Sequence, residues 1–315
     1  MRRWAWLLCA AATLAQAQGF PSKPIKLVAP FAPGGALDLI ARGVAQKMSD
    51  STGQPVVVDN RAGAAGAIGS EFVAKSAPDG YTLLLGATTT HGINPVINSK
   101  LPYDPVRDFT PISLVATIPH VLVVNAAVPV NSLQEFVRYA KSKPGLAYGS
   151  AGNGSPHHLA AALFSNLAGI DTVHVPYKGS APALTDLVAG QLQFMSVEIV
   201  AAEPFIKGGK IRPLAIAAAR RPAGLSIPTF AEQGYPGFEV TAWYAIFAAA
   251  HTPPEIVARL NAEIVKAVEN ADLRERLTQL GATPVGSSSQ ELAAYVRAEL
   301  DRWGRAVKAA NLKLE

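Results

Sequence analysis

Short apolar segments alternate with stretches of helical periodicity along most of this 315-residue chain. Alternation of this kind predicts α/β layers built around mostly parallel sheets. The predicted strands are Ile25–Ala29, Val56–Asp59, Thr82–Gly86, Val121–Asn125, Leu146–Gly149, Val173–Val175, Gln193–Val197 and Arg212–Ala217. Three long helical patterns close the chain, at Pro254–Asn270, Asp272–Leu280 and Gln290–Ala309. Because such sheets bind ligands at the carboxyl ends of their strands, the loops that follow the strands are the candidate sites.

The first 17 residues have the pattern of a secretory signal peptide. A basic start precedes the apolar run Trp4–Ala15, which is too short to span a bilayer, and Ala15-Gln16-Ala17 is a cleavage signal. We expect export to the periplasm by the Sec route with cleavage near Ala17, and an N-terminal helix is the alternative. Cys9 is the only cysteine and would leave with this segment, so we expect neither a disulfide nor a thiol nucleophile in the mature chain.

Size and charge narrow the class of protein further. Removal of Arg2 and Arg3 lowers the formal net charge from +5 to +3, and the remaining basic residues are scattered, which argues against nucleic-acid binding. The length predicts two domains, residues 18–119 with 243–315 as the first and residues 120–242 as the second. The apolar segments Ile112–Val124 and Val240–Ala249 would cross between them. We expect a monomer.

The loop after the first predicted strand reads Pro30-Phe31-Ala32-Pro33-Gly34-Gly35-Ala36-Leu37-Asp38, and a helical pattern begins at Leu37. The two glycines lack a Cβ atom, so a ligand can approach their N–H groups closely. The first turn of a helix has free N–H donors and a dipole that favours an anion. The segment therefore predicts a carboxylate-binding loop, with the candidate residues Phe31, Ala32, Pro33, Gly34, Gly35 and Asp38.

A second loop has the same design. The strand Leu146–Gly149 runs into Ser150–Ser155, where Ser155 suits the N-cap of a helix and Pro156 its first position. We expect each domain to contribute one such loop, so that a carboxylate is held from both sides of a cleft. The candidate residues of the second loop are Ser150, Ala151, Gly152, Asn153 and Ser155.

Several short motifs follow one another in a specific order. They are Ala29 to Asp38, Val56-Val57-Val58-Asp59-Asn60-Arg61-Ala62-Gly63-Ala64-Ala65-Gly66, Pro78-Asp79-Gly80-Tyr81-Thr82-Leu83, Leu101-Pro102-Tyr103-Asp104-Pro105, Ala151 to Ser155 with His158, Val175-Pro176-Tyr177-Lys178-Gly179 and Pro228-Thr229. With these motifs the chain resembles the periplasmic solute-binding receptors of tripartite tricarboxylate transporters, the Bug/TctC-type family. The resemblance implies an α/β periplasmic-binding-protein fold, a type II-like Venus flytrap of two domains with two crossings and the ligand in the cleft between them.

The resemblance also implies roles for individual residues. Asp38 matches an acidic residue that we expect to organise the first loop, because a free carboxylate would repel an anion. Thr88, Thr89 and Asn94 stand where the family offers polar groups to its ligand. His157 stands where a small polar residue is usual, and it would add a donor or cationic group to the cleft.

One departure from the family pattern concerns the ligand. Val197 stands where members often have an aspartate that can pair with an amine, so we count it among the site residues and expect an organic acid without an amine. Glu198 is expected to point away from the cleft, because neighbouring side chains of a strand alternate between its faces.

We therefore expect a receptor without catalytic residues, cofactor or metal, which delivers a small carboxylate to integral membrane transporter subunits. Two alternatives remain open. One is a carboxylate sensor that reports to a sensor kinase in a two-component system. The other is a secreted serine hydrolase using Ser150 or Ser155 with His157 or His158, against which stand the missing G-x-S-x-G elbow and the lack of triad spacing.

Overall fold

The structure is a computed structural model that describes residues 19–222, 224–279 and 281–310; the predicted signal peptide lies outside this range. The strands are β1 (Ile25–Ala29), β2 (Val56–Asn60), β3 (Thr82–Ala87), β4 (Phe109–Asn125), β5 (Leu146–Ser150), β6 (Thr172–Pro176), β7 (Phe194–Glu198), β8 (Ile211–Ile216), β9 (Thr241–Ala249) and β10 (Thr283–Pro284). The helices are α1 (Ala36–Thr52), α2 (Ala67–Ala74), α3 (Asn94–Ile97), α4 (Leu133–Ser142), α5 (Pro156–Ala168), α6 (Ser180–Val188), α7 (Ile199–Lys207), α8 (Pro254–Glu269), α9 (Ala271–Gln279) and α10 (Ser289–Ala310). None of these described helices combines the length and the apolar character needed to cross a bilayer.

The predicted strands and C-terminal helices are confirmed, and with one exception their ends differ by no more than one residue from the structure. The exception is Val121–Asn125, which is the end of the much longer strand β4. The two apolar segments predicted to cross between domains form β4 and β9, which pair with each other in antiparallel register.

The strands lie in the order β2-β1-β3-β9-β4-β7-β5-β6, with β8 and β10 also paired to β4. In one half of this arrangement β2, β1 and β3 are parallel, and β9 runs antiparallel to β3. In the other half β6, β5 and β7 are parallel, and β7 runs antiparallel to β4. Because parallel strands end at the same edge of a sheet, each half gathers the loops that follow its strands into one place.

β4 connects the two halves by changing its partner. It pairs with β9 from Phe109 to Pro119 and with β7 from His120 to Val124. The change of partner between Pro119 and His120 therefore brings side chains of β4, β7 and β9 into contact at the junction of the halves.

Helix α1 shows how the sequence pattern produces the core. Its residues Ile40, Val44 and Met48 recur at helical spacing and are fully buried, in the same apolar cluster as residues of α8. Each fully buried side chain of this size stabilises the fold by about 1.5–3 kcal/mol relative to an exposed one. The helix ends where Gly53 adopts φ +69° and donates its N–H to the Ser49 carbonyl (3.0 Å). Packing of α1 on the sheet fixes the loop that precedes it.

Candidate functional site

A buried carboxylate holds the first loop in shape. Asp38 accepts a hydrogen bond from the Gly34 N–H (2.9 Å) and from Arg42 Nε (2.9 Å). Its second oxygen accepts from the Asn60 side-chain amide (3.0 Å), which also donates to the Phe31 carbonyl (3.1 Å). Gly34 has φ +88°, a conformation that glycine adopts without strain. The loop and the start of α1 are therefore preorganised as one unit.

The hydrogen bonds of the Asp38 carboxylate shape this loop and keep the group ionised near neutral pH. Burial alone would raise the pKa of its carboxyl group, but the hydrogen bonds from Arg42, Gly34 and Asn60 outweigh burial and lower that pKa below its usual value. Only 3% of Asp38 is exposed. The expectation that Asp38 organises the loop agrees with these contacts.

Internal hydrogen bonds also hold the second loop. The Ser155 hydroxyl donates to the Gly152 carbonyl (2.7 Å) and accepts from the His158 N–H (3.3 Å), so that Ser155 caps α5. Ser150 Oγ accepts from the Gly152 N–H (3.1 Å) and lies 2.6 Å from His174 Nε2. Both hydroxyl groups are thus used within the loop and its support.

A third segment, Tyr177–Ser180, joins the two halves of the molecule at the first loop. The Ala32 N–H donates to the Lys178 carbonyl (3.2 Å). A Cβ atom placed on Gly35 would lie only 2.6 Å from Ser180 Oγ. These separations show that the halves are closed against each other in this structure.

A small cavity with a volume of about 30 Å³ lies where these segments meet. Its lining residues are Phe31, Ala32, Gly35, Leu37, Ala87, Thr88, Thr89, Ala151, Pro156, His157, Ser180, Glu198, Ala242 and Tyr244. Most of this lining is apolar, and helices α1, α5 and α6 all begin beside it. Among the described residues that line it, none is a lysine or an arginine. An anion in the cavity would therefore be held by N–H and hydroxyl groups rather than by a cationic side chain.

Part of the wall is a buried polar cluster around Glu198, the last residue of β7. The Tyr244 hydroxyl donates to Glu198 Oε1 (2.7 Å), and His157 Nε2 lies 2.9 Å from Oε2. His120 is the cross-strand partner of Glu198 and places its Nε2 3.8 Å from Oε1. His120 Nδ1 lies 3.1 Å from the Ser196 hydroxyl.

The charges in this cluster follow from burial and hydrogen bonding. Burial alone would raise the pKa of Glu198, but His157 and the Tyr244 hydroxyl outweigh it and hold that pKa well below its usual range. Burial, with the Glu198 charge, raises the pKa of Tyr244 far above its usual value. Burial lowers the pKa of His120 to about 3, so its imidazole is neutral at physiological pH. Donor atoms of His120, His157 and Glu198 lie within 4.8 Å of one another, which is close enough to hold a metal ion.

The family model described as the tripartite tricarboxylate transporter family receptor, TctC, matches residues 40–312 of the chain. The chain belongs to this family. TctC-type receptors are periplasmic solute-binding proteins, so the predicted family resemblance and fold class, a two-domain α/β periplasmic binding protein, are both confirmed.

Three similar proteins illustrate this membership. The chain is 37% identical over 302 residues to Protein BugT of Bordetella pertussis, which covers 95% of this chain and 93% of BugT. A Rhodopseudomonas palustris protein solved with adipate is 38% identical, with a TM-score of 0.90 over 93% of this chain and 98% of that one. MatC from Rhodopseudomonas palustris, solved with bound malate, is 39% identical, with a TM-score of 0.87 over 91% of this chain and 100% of MatC.

In this TctC-family receptor, about half of the predicted site residues reach the cavity. Those that line it are Phe31, Ala32, Gly35, Thr88, Thr89, Ala151 and His157. Pro33 and Gly34 are exposed at the surface, while Asn94, Gly152 and Asn153 line a separate surface groove. Asp38 in the first turn of α1, and Ser150 and Ser155 in the second loop, lie outside the cavity lining.

The expectation for Val197 and Glu198 is wrong. Val197 is fully buried in an apolar cluster, whereas Glu198 lines the cavity of the receptor. The two side chains do alternate between the faces of β7, but α5 and β9 lie against the face that carries the Glu198 side chain. His157 and Tyr244 from those elements then satisfy the carboxylate. The absence of an acidic group at Val197 consequently says nothing about the ligand.

Three polar residues of the cavity lining were not among those predicted, namely Ser180, Glu198 and Tyr244. A signal for Ser180 existed, because it follows the family motif that ends at Gly179 and begins α6, as Gly35 precedes α1. Tyr244, in the second predicted crossing segment, could be interpreted equally as a core residue or as an aromatic wall of the cleft. No comparable local signal marks Glu198, which meets Tyr244 only through the pairing of β4 with β7 and β9.

The described residues give no support to a serine hydrolase. The Ser155 hydroxyl donates to a backbone carbonyl and contacts no histidine ring. Ser150 does meet His174, but that ring stacks on His158 (3.8 Å between centroids), and no carboxylate in the described part of the chain bonds to it. His157, the histidine nearest the cavity, is engaged with Glu198 instead.

Proposed function

We propose that this protein is a periplasmic receptor that captures a small organic acid in the cavity between its halves and delivers it to a tripartite tricarboxylate-type transporter. The observation that carries the proposal is the cavity itself, which is lined by residues of the first loop, by Ala151 of the second loop and by Ser180. The relatives that hold adipate and malate support a carboxylate as the ligand.

The ligand's head group is proposed to lie at the helix starts. Gly35 precedes α1 and Ser180 begins α6, so the free N–H groups and positive dipole ends of both helices favour an anion there. The hydroxyl groups of Thr88, Thr89 and Ser180 add donors to the same cavity. A carboxylate can be bound in this way without a lysine or an arginine.

An acid without an amine remains the proposed ligand, for a reason different from the one the sequence offered. Each Glu198 oxygen already has a partner, one in Tyr244 and the other in His157. An ammonium group placed beside Glu198 would have to displace or share these partners. The apolar lining around the cluster favours a short hydrocarbon chain instead.

Ligand capture is proposed to close two domains, residues 18–119 with 243–315 and residues 120–242. The change of partner in β4 between Pro119 and His120 supports this division, as does the pairing of β9 with β4 up to that point. Contacts such as that between Ala32 and Lys178 join the halves. A ligand that touches both sides would favour the closed form by its differential affinity.

Export, partners and oligomeric state complete the proposal. We propose that residues 1–17 are removed near Ala17 after Sec-dependent export, and that the mature receptor acts as a monomer without cofactor. Its partners would be the small acid and integral membrane transporter subunits.

Isothermal calorimetry of the mature protein against adipate, malate, a monocarboxylate, an amino acid and a sugar tests the proposal. We expect saturable binding of at least one amine-free acid. Thr89→Val removes a cavity hydroxyl and should weaken that binding by about 10- to 150-fold, the effect of losing a hydrogen bond of about 1.5–3 kcal/mol to a charged group. Thr278→Val, an exposed position on α9, is the matched control and should bind normally. Binding of the sugar alone would overturn the proposal.

A further inference from the structure

Three buried donor groups converge beside the cavity, on His120, His157 and Glu198, with one donor atom of each within 4.8 Å of the others. The separations are 2.9 Å from Glu198 Oε2 to His157 Nε2 and 3.8 Å from Glu198 Oε1 to His120 Nε2. A tetrahedral zinc ion with bonds of about 2.1 Å places its donors about 3.4 Å apart, a value between these two distances. Two imidazoles with one carboxylate are a donor set that zinc uses where a fourth position stays open.

One nitrogen of His120 is unused. Its Nε2 is buried and has no hydrogen-bond partner among the residues that the structure describes. Its Nδ1 lies 3.1 Å from the Ser196 hydroxyl, so a proton on Nδ1 leaves the Nε2 lone pair directed toward Glu198. Metal-binding histidines show this arrangement, in which a hydrogen bond at one nitrogen orients the ring and the other nitrogen binds the ion.

Regular structure fixes all three donors. His120 on β4 and Glu198 on β7 are direct cross-strand partners, and His157 belongs to the first turn of α5. The hydroxyl of Tyr244 holds the Glu198 carboxylate from the side of β9. The backbone therefore holds the three donor side chains beside one another.

We propose that His120, His157 and Glu198 bind one divalent transition-metal ion, for which Zn²⁺ is the appropriate probe. The ion takes the place of the hydrogen bond between His157 Nε2 and Glu198, and protons displaced from the donor groups are released to solvent. Its charge offsets that of the buried Glu198 carboxylate. The open fourth position faces the cavity, because His157 and Glu198 line it, and water completes the coordination there.

The test is a calorimetric titration of ZnCl₂ into the mature protein after treatment with a chelator, with no organic acid present. We expect one ion per chain. His157→Gln and Glu198→Gln should each weaken binding by about tenfold or more, since each removes a ligand. His174→Gln is the matched control, a part-buried histidine that bonds to Ser150 outside the cluster, and it should bind zinc as the wild type does.

A second measurement on the wild-type protein keeps the test valid if a variant fails to fold. Cobalt added to the wild type should give the intense visible absorption of a four-coordinate site, and zinc should shift the ring signals of two histidines in NMR spectra. The proposal is overturned if zinc does not saturate the protein, or if the ligand variants and the His174→Gln control bind it equally. Because the titration contains no acid, its failure leaves carboxylate capture untouched, and failure of carboxylate capture leaves the metal site untouched.

Discussion

Replacement of Gly35 by alanine tests whether the two halves close as tightly as the structure shows. Gly35 has φ −85° and ψ 176°, which any residue adopts, so alanine strains no backbone there. Its Cβ atom would nevertheless lie 2.6 Å from Ser180 Oγ, in the segment contributed by the other half. The substitution therefore leaves the first loop intact and disturbs only its contact across the cavity.

The expected loss of ligand affinity depends on which form of the protein the substitution destabilises. Overpacking of a close contact costs about 1–3 kcal/mol, and here it is imposed only when the halves are closed. Ligand affinity should then fall by about 5- to 150-fold, while the melting temperature of the ligand-free protein changes little. Compared with Gly35→Ala, Gly35→Val adds two more methyl groups at the cavity and should reduce ligand affinity further.

Calorimetry with the best-binding acid of the panel measures this effect in a double-mutant cycle. Ser180→Ala removes the oxygen that the new Cβ would meet, and the next Ser180 atom is 3.9 Å away. Gly35→Ala should thus cost much less in the Ser180→Ala background, with a coupling energy of about 1 kcal/mol or more. Gly304→Ala, where a Cβ meets nothing within 4 Å, is the control. Equal losses in both backgrounds would refute the proposed contact.

Three further outcomes concern the support of the site. Asp38→Asn should lower the free energy of unfolding by about 1–3 kcal/mol near neutral pH. Because the pKa of Asp38 is lowered in the folded state, urea denaturation should show this difference disappearing as the pH falls below about 4. His158 and His174 are stacked, and burial lowers their pKa values to about 4 and about 3. In the unfolded chain these two histidines take up protons at a higher pH than in the folded protein. The free energy of unfolding should therefore decrease as the pH falls from about 6.5 to about 4, and His174→Gln should make this decrease smaller. Ser155→Ala removes the N-cap of α5 and should lower the free energy of unfolding by about 1 kcal/mol. Because Ser155 lies outside the cavity lining, ligand affinity should stay unchanged, and an altered affinity would contradict that position.

The architecture was predictable because its signals are local. Strand β1, for example, lies between Pro24 and Pro30, and α1 combines helical spacing of buried residues with a glycine at its end. The length of β4 was harder to predict from the sequence, because Pro111 and Pro119 interrupt its run of apolar residues. The structure accommodates Pro111 at an irregularity in the register with β9, which only the partner strand can reveal.

The site was predictable only where a motif carries it. The first loop has its signal within a few residues, so Phe31 and Gly35 were found. Glu198 was misplaced because alternation along β7 separates it from Val197 without telling which face meets the cavity. That choice is made by α5 and β9, whose His157 and Tyr244 are separated from Glu198 by 41 and 46 residues of the chain.

The position of Glu198 would also orient the proposed ligand. Two unit charges 4 Å apart repel by about 4 kcal/mol at the effective dielectric constant of a protein surface, so a ligand carboxylate beside Glu198 would be penalised. The starts of α1 and α6, at Gly35 and Ser180, attract it instead. A monocarboxylate satisfies both constraints by directing its apolar chain toward Glu198. A dicarboxylate satisfies them only if its second acid group is protonated, leaves the cavity, or meets a cation held by His120 and His157.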